Sequence, residues 1–277
     1  MASPTFLFHG YALGFGAAFR RPFYSSIPSQ ASAVVSIGGG YAAERVGPSV
    51  FVNGTSFQEA SSSVTGGPDE DGGWITIAQS TVRGLNLLNG AFYADELHCQ
   101  LVSRHGGASG AEPNISAAGS YINGLRIGGV EIKTGDFLDI PETDEGFRTK
   151  YLAGGEWAKN VRQWCNWVRP TTIRTEDIHR ELLEFYGKSW EEGCVQPPTF
   201  NGRMILSTFK GLSDPGVEHV QVFGNTVTLR NVGRFHLGEL SVERGNRRLS
   251  MVRFSLGSDT EGTGSGAHSG TNGSPYP

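Results

Sequence analysis

Hydrophobic and polar positions alternate with a period of two over most of the chain, and the clearest alternation occurs twice. The stretch from Ile75 to Leu87 (ITIAQSTVRGLNL) matches the stretch from Ile115 to Ile127 (ISAAGSYINGLRI) at an offset of 40 residues. A period of two in β-branched and small apolar residues predicts half-buried strands, so the two stretches are expected to be related units of one β-structure. In both, the apolar set changes parity at a glycine. Val82 gives way to Leu85 and Leu87 across Gly84, and Ile122 to Leu125 and Ile127 across Gly124. A strand that changes its buried parity must bend, bulge or turn a corner, and glycine is the residue at which this costs least.

Further strand signals flank this pair. Phe6-Leu7-Phe8, Ala33-Val34-Val35-Ser36-Ile37 and Val50-Phe51-Val52 precede it, with Pro28, Gly38-Gly39-Gly40 and Asn53-Gly54 as breaks. Met204 to Ser207, His219 to Val222, Asn225 to Leu229, Gly233 to Val242 and Leu249 to Phe254 follow it, and Gly245-Asn246 suits a hairpin turn. Between them the period changes. Trp157, Val161, Trp164, Cys165 and Val168 form a helical stripe that Pro170 ends, and Thr175 caps a second helix carrying Ile178, Leu182 and Phe185 before Gly187. The expected fold is mainly β, an antiparallel sandwich or barrel, with an α-hairpin inserted at about 155–187. Residues 1–257 are read as one domain. Residues 258–277, mostly Gly, Ser and Thr, are read as a flexible tail.

Composition narrows the function. Gly is 40 of 277 residues and charged residues are 18%, which suits tight turns between short strands and disfavours a helical bundle. The net charge of −4 gives no electrostatic footprint for nucleic acid, and the cluster Arg244, Arg247, Arg248 sits beside Glu239 and Glu243. No segment is apolar for long enough to span a membrane as a helix. Met1 to Gly10 lacks a basic region followed by an apolar run, so no export signal is visible and a cytoplasmic chain is the default reading. Cys99, Cys165 and Cys194 form no C-x-x-C pair and read as free thiols.

No motif with a defined chemistry is present. The glycine clusters lack nucleotide-loop spacing, and the acidic turn Pro68 to Gly73 lacks the ligand spacing of a calcium loop, so no cofactor and no metal is expected. Asp95, His98, Glu131 and Asp136 are the candidate acid–base groups, available for catalysis only if folding brings them together. Trp167 lies at the margin of the helical stripe and is followed by Arg169. Both residue types are common at interface hot spots, which makes this pair the candidate partner- or ligand-binding site.

The run Gly233 to Leu240, Arg247 to Met251, Gly84-Leu85-Asn86 and Gly124 to Ile127 resemble a group of uncharacterised bacterial β-rich proteins, which are distantly similar to choice-of-anchor-type surface modules. The resemblance implies a β fold and carries over no catalytic residue. The function expected is that of a non-enzymatic structural or interaction protein able to self-assemble, with a protein partner or a second copy as the binding partner. The alternatives are an enzyme whose β-barrel pocket is closed by the α-hairpin, and a carbohydrate- or small-ligand-binding module.

Overall fold

A computed structural model of the chain describes residues 5–21, 24–106, 113–135, 204–209, 211–243, 246–257 and 261–276. These form β1 (Thr5–Phe19), β2 (Ser25–Val34), β3 (Gly40–Val46), β4 (Ser49–Phe51), β5 (Thr55–Phe57), β6 (Glu59–Pro68), β7 (Trp74–Leu87), β8 (Phe92–His105) and β9 (Asn114–Ser116). There follow β10 (Tyr121–Asn123), β11 (Arg126–Ile127), β12 (Val130–Glu131), β13 (Met204–Ser207), β14 (Val220–Phe223), β15 (Thr226–Leu229), β16 (Gly233–Glu243), β17 (Asn246–Gly257) and β18 (Glu261–Tyr276).

The strands make two antiparallel sheets. The first runs β14-β15-β16-β17-β18-β1-β2, with β13 on β16. The second runs β12-β11-β8-β7-β5-β4, with β9 and β10 also on β8, and with β6 on β7 and β3 on β6. The sheets stack, β1 over β6 and β7, β18 over β7 and β8, and β17 over β8. Between them lies a core that includes Phe15, Phe57, Leu85, Leu97, Phe235 and Phe254. The rings of Phe92 and Phe235 stack at 5.3 Å and those of Phe15 and Phe254 at 6.4 Å. Aromatic side chains of this size supply much of the apolar area that such a sandwich removes from water. Neither sheet closes on itself, because β14 and β2 end the first sheet and β12, β3 and β4 lie at the edges of the second. The fold is therefore sandwich-like, and the barrel alternative is corrected.

The internal repeat has a geometric meaning. The two matching stretches flank β8, one on each side, in equivalent register from Thr81 and Tyr121 onward, while at their start Ile75 opposes Arg104 and Ile115 opposes Ser103. Thr81 and Tyr121 both oppose His98, Val82 and Ile122 both oppose Leu97, and Leu87 and Ile127 both oppose Phe92. Gly84 and Gly124, each with φ of 61°, stand on either side of Asp95. The parity switch seen in the sequence is present, but the strand neither bulges nor leaves its sheet. Pairing continues in unbroken register from Arg83 with Glu96 to Leu85 with Ala94.

The first sheet carries the same device in a row across five strands. Ala31, Gly14, Ala267, Met251 and Gly238 are successive neighbours, and the alternate members Ala31, Ala267 and Gly238 have φ of 51°, 45° and 56°. On β1 the inward set changes from Phe6, Phe8 and Ala12 to Phe15, Ala17 and Phe19 across this row. Both sets face the second sheet. A Cβ at Gly10 would meet Val64 and Thr76, and Phe15 lies 6.4 Å from Phe57. The change of inward set on β1 thus coincides with a row whose alternate members have positive φ, and the β1–β2 register shifts just beyond it, between Phe15 and Ala17.

The expectation of a flexible tail over 258–277 is overturned. Within it, β18 is hydrogen-bonded between β1 and β17, near the middle of the first sheet. At Gly262, Gly264, Gly270 and Gly273 a Cβ would fall within 3.0 Å of a neighbour. A Cβ at Gly264 would lie 2.5 Å from the Phe254 ring and 2.7 Å from the Gly16 carbonyl oxygen, and one at Gly270 would lie 2.3 Å from the Tyr11 ring. A composition that reads as linker here serves close packing. The inserted α-hairpin at about 155–187 lies outside the described residues. No helix among the described residues is long and apolar enough to cross a membrane.

Candidate functional site

The outer face of the second sheet carries a polar surface built by strand alternation. Inward residues of β7 such as Ala78 and Val82 pack in the core, so Gln79, Thr81 and Arg83 point the other way. Antiparallel pairing then aligns polar residues in rows across the strands. One row is Arg45, Ser61, Thr81, His98 and Tyr121, a second is Ser63, Gln79 and Gln100, and a third is Glu59, Arg83 and Glu96. They line or flank a shallow trough of about 370 Å³ whose far wall is Tyr41 and Arg45 of β3.

Nearly every group in the rows has a neighbour. The Thr81 hydroxyl and His98 Nδ1 are 2.8 Å apart, and the His98 ring stacks on Tyr121 at 5.2 Å. Tyr121 donates its hydroxyl proton to Glu96 at 2.8 Å, and Arg83 reaches Glu96 at 3.5 Å and Glu59 at 3.8 Å. Arg45 also pairs with Glu59. In the middle row Ser63 donates to Gln79, Gln79 to Gln100, and Gln100 to the Ala118 carbonyl. Burial holds His98 below the usual imidazole range, against a weaker opposite pull from Glu96, so the ring is neutral near pH 7.

The structure separates the candidate acid–base residues. Asp95 is exposed beside Gly124, where a Cβ would collide with its carboxylate, and it accepts a bond from Tyr93 that raises the phenol above its ordinary range. His98 is half-buried and takes Thr81 instead. Glu131 is exposed at the far edge, opposite Arg126 of β11. Asp136, Trp167 and Arg169 lie outside the described residues. No group of three or more His, Cys, Asp or Glu among the described residues is placed to hold a metal ion.

A second polar group sits on the first sheet and was not singled out from the sequence. Ser250 Oγ lies 2.6 Å from His268 Nδ1, the Tyr11 hydroxyl lies 3.2 Å from His268 Nε2, and Glu239 accepts two bonds from Arg253 at 3.0 and 2.7 Å. Ser250, His268 and Glu239 are all buried. Burial and Arg248 depress His268 to about 4, while Glu239 pulls weakly the other way. Among the described residues, the hydroxyl–imidazole pairs Thr81–His98 and Ser250–His268 each lack a carboxylate on the second ring nitrogen, which is what orients a histidine base in a nucleophilic triad.

Sequence reasoning named His98 but missed Gln79, Thr81, Gln100 and Tyr121. Their signal was the outward half of the same alternation whose inward half defined the repeat. The buried network could not be found that way, because Tyr11 and His268 meet across 257 positions of sequence.

The model of a family described as a domain of unknown function (DUF8256) matches residues 6–243, and the chain belongs to that family. No curated protein and no solved structure matches the chain.

Proposed function

We infer that this member of the DUF8256 family is a non-enzymatic interaction protein that associates with a second copy of itself along the open edge of its second sheet. The observation that carries this reading is where the exposed apolar side chains lie. Ile37, Tyr41, Val50 and Val52 fall on or beside the edge formed by β3 and β4, with Val34 at the end of β2 that leads into it, against Tyr11, Tyr24, Tyr121 and Phe223 elsewhere among the described residues. β3 pairs with β6 and β4 with β5, so the other side of each strand presents backbone donors and acceptors without a strand partner.

Charged guards are turned away from this edge. Glu44 accepts the Ser32 amide of β2, and Arg45 pairs with Glu59 on the same sheet. The blocked strand is therefore β2, which also carries Pro28, while β3 stays open. Antiparallel pairing of two copies of β3 about Ala43 sets Tyr41 against Arg45 on one face and Ala42 against Glu44 on the other, so no like charges oppose.

Light scattering coupled to size exclusion tests the reading. The chain is expected to show a concentration-dependent dimer mass that the double variant Ile37→Lys, Val50→Lys abolishes without lowering the melting temperature, since both side chains are exposed. A chain that stays monomeric at every concentration, or a dimer indifferent to the two lysines, overturns it.

A further inference from the structure

We propose that the trough on the outer face of the second sheet binds a neutral oligosaccharide. The trough lies on the face of the sheet and the association surface along its edge, and Tyr41 and Arg45 of β3 border both.

The argument begins with charge. The two arginines around the trough are paired with carboxylates, and Glu44 in its wall keeps its own negative charge. Arg45 and Arg83 are held by Glu59 and Glu96, and the Glu44 carboxylate is occupied by the Ser32 amide. A phosphate, sulfate or uronate ligand would need a cation that is not already spent, and an ammonium ligand an uncommitted carboxylate. The floor offers no unspent cation, and the Glu44 carboxylate in the wall is turned to the β2 backbone. The floor offers instead neutral groups that donate and accept side by side. Each amide of the Ser63–Gln79–Gln100 row uses one N–H and one oxygen lone pair along the row, which leaves a second N–H and a second lone pair for a ligand. His98, neutral because it is buried, adds its second ring nitrogen, and Ser61 adds a hydroxyl. Adjacent hydroxyls of a pyranose, each both donor and acceptor, match this alternation.

Shape and apolar surface agree with the charge. The trough is open and shallow, and its lining crosses the strands from β3 to β8. Tyr41 in its wall is 72% exposed and presents a ring face to the C–H side of a sugar. The floor itself is stiff, because every row is tied across hydrogen-bonded strands and the amide chain ends on the Ala118 carbonyl. A preorganised floor spares the ligand the cost of ordering side chains.

Titration calorimetry of the full chain with cellohexaose, maltohexaose and chitohexaose, and with oligogalacturonate and a heparin hexasaccharide as anionic comparisons, tests the proposal. At least one neutral hexasaccharide is expected to bind at millimolar or lower concentration, and more tightly than either anion. Gln79→Ala and Thr81→Val should each weaken it by roughly tenfold, the loss of one or two directed hydrogen bonds, with a cooperative thermal transition retained. The proposal is overturned if no neutral hexasaccharide binds, if an anionic one binds more tightly, or if neither substitution weakens binding.

Discussion

Gly84 and Gly124 share one backbone conformation, φ of 61°, and stand on opposite sides of the same residue, Asp95 of β8. The offset of 40 residues is thus the arithmetic of two antiparallel strands reading the same central strand. Positive φ at both places lets the inward set change parity while the ladder continues, and only glycine adopts that region without a Cβ penalty. Gly124→Ala is expected to lower stability by about 1–3 kcal/mol, because a Cβ there would lie 1.8 Å from the Asp95 carboxylate in addition to the backbone cost. Chemical denaturation measures it, and the double variant Gly124→Ala, Asp95→Gly should recover the steric part, since the Asp95 Cβ alone would still lie 2.8 Å away. An unchanged denaturation midpoint in the single variant would contradict the account.

Removal of residues 258–277 should abolish folding. β18 is paired on both sides, and without it β1 and β17 lose their shared partner and the core loses Ala267. A chain ending at Gly257 is expected to give no cooperative thermal transition. A truncated chain that melts like the full one would show that the strand is dispensable.

Acid should destabilise the fold before its carboxylates titrate. His105, His236 and His268 are each held at about 4, in every case first by burial and then by a nearby guanidinium, that of Arg247, Arg253 and Arg248 respectively. The unfolded chain binds these protons near 6.5, so between about 6.5 and 4 it holds more protons than the folded one. Stability from these groups is complete above about pH 6.5 and falls as the pH drops toward 4, by up to about 3 kcal/mol per histidine. Thermal melts across that window should show the decline, and His268→Gln should make it shallower. A melting temperature that is flat from pH 7 to about 4.5 would rule this out.

Loss of Arg253 should be costly. Its two bonds hold the Glu239 carboxylate, whose side chain is 9% exposed, and together with the other nearby cations they keep that carboxyl below its ordinary range although burial alone would raise it. Arg253→Ala strands a buried negative charge and is expected to cost about 3 kcal/mol. The double variant Arg253→Ala, Glu239→Gln should be more stable than Arg253→Ala alone, measured by urea unfolding. Equal stability of the two would place the arginine's role in packing instead.

Much of this was written in local pattern. The period of two in Ile75 to Leu87 placed Ala78 and Val82 inside and Gln79 and Thr81 outside, and the parity switch at Gly84 and Gly124 marked where the inward set is reset. Such features are legible because each strand's alternation follows from which of its faces is dry. Three things depended on contacts between distant residues. The sheet order put Gly84 and Gly124 beside Asp95, and the pairing of Tyr11 with His268 built a buried network with no local signature. Most clearly, Glu261 to Tyr276 has the composition of a linker and the place of a central strand. Its glycines have too little side chain to announce burial, and their reason is the Phe254 and Tyr11 rings that press against them, which only the folded chain brings there.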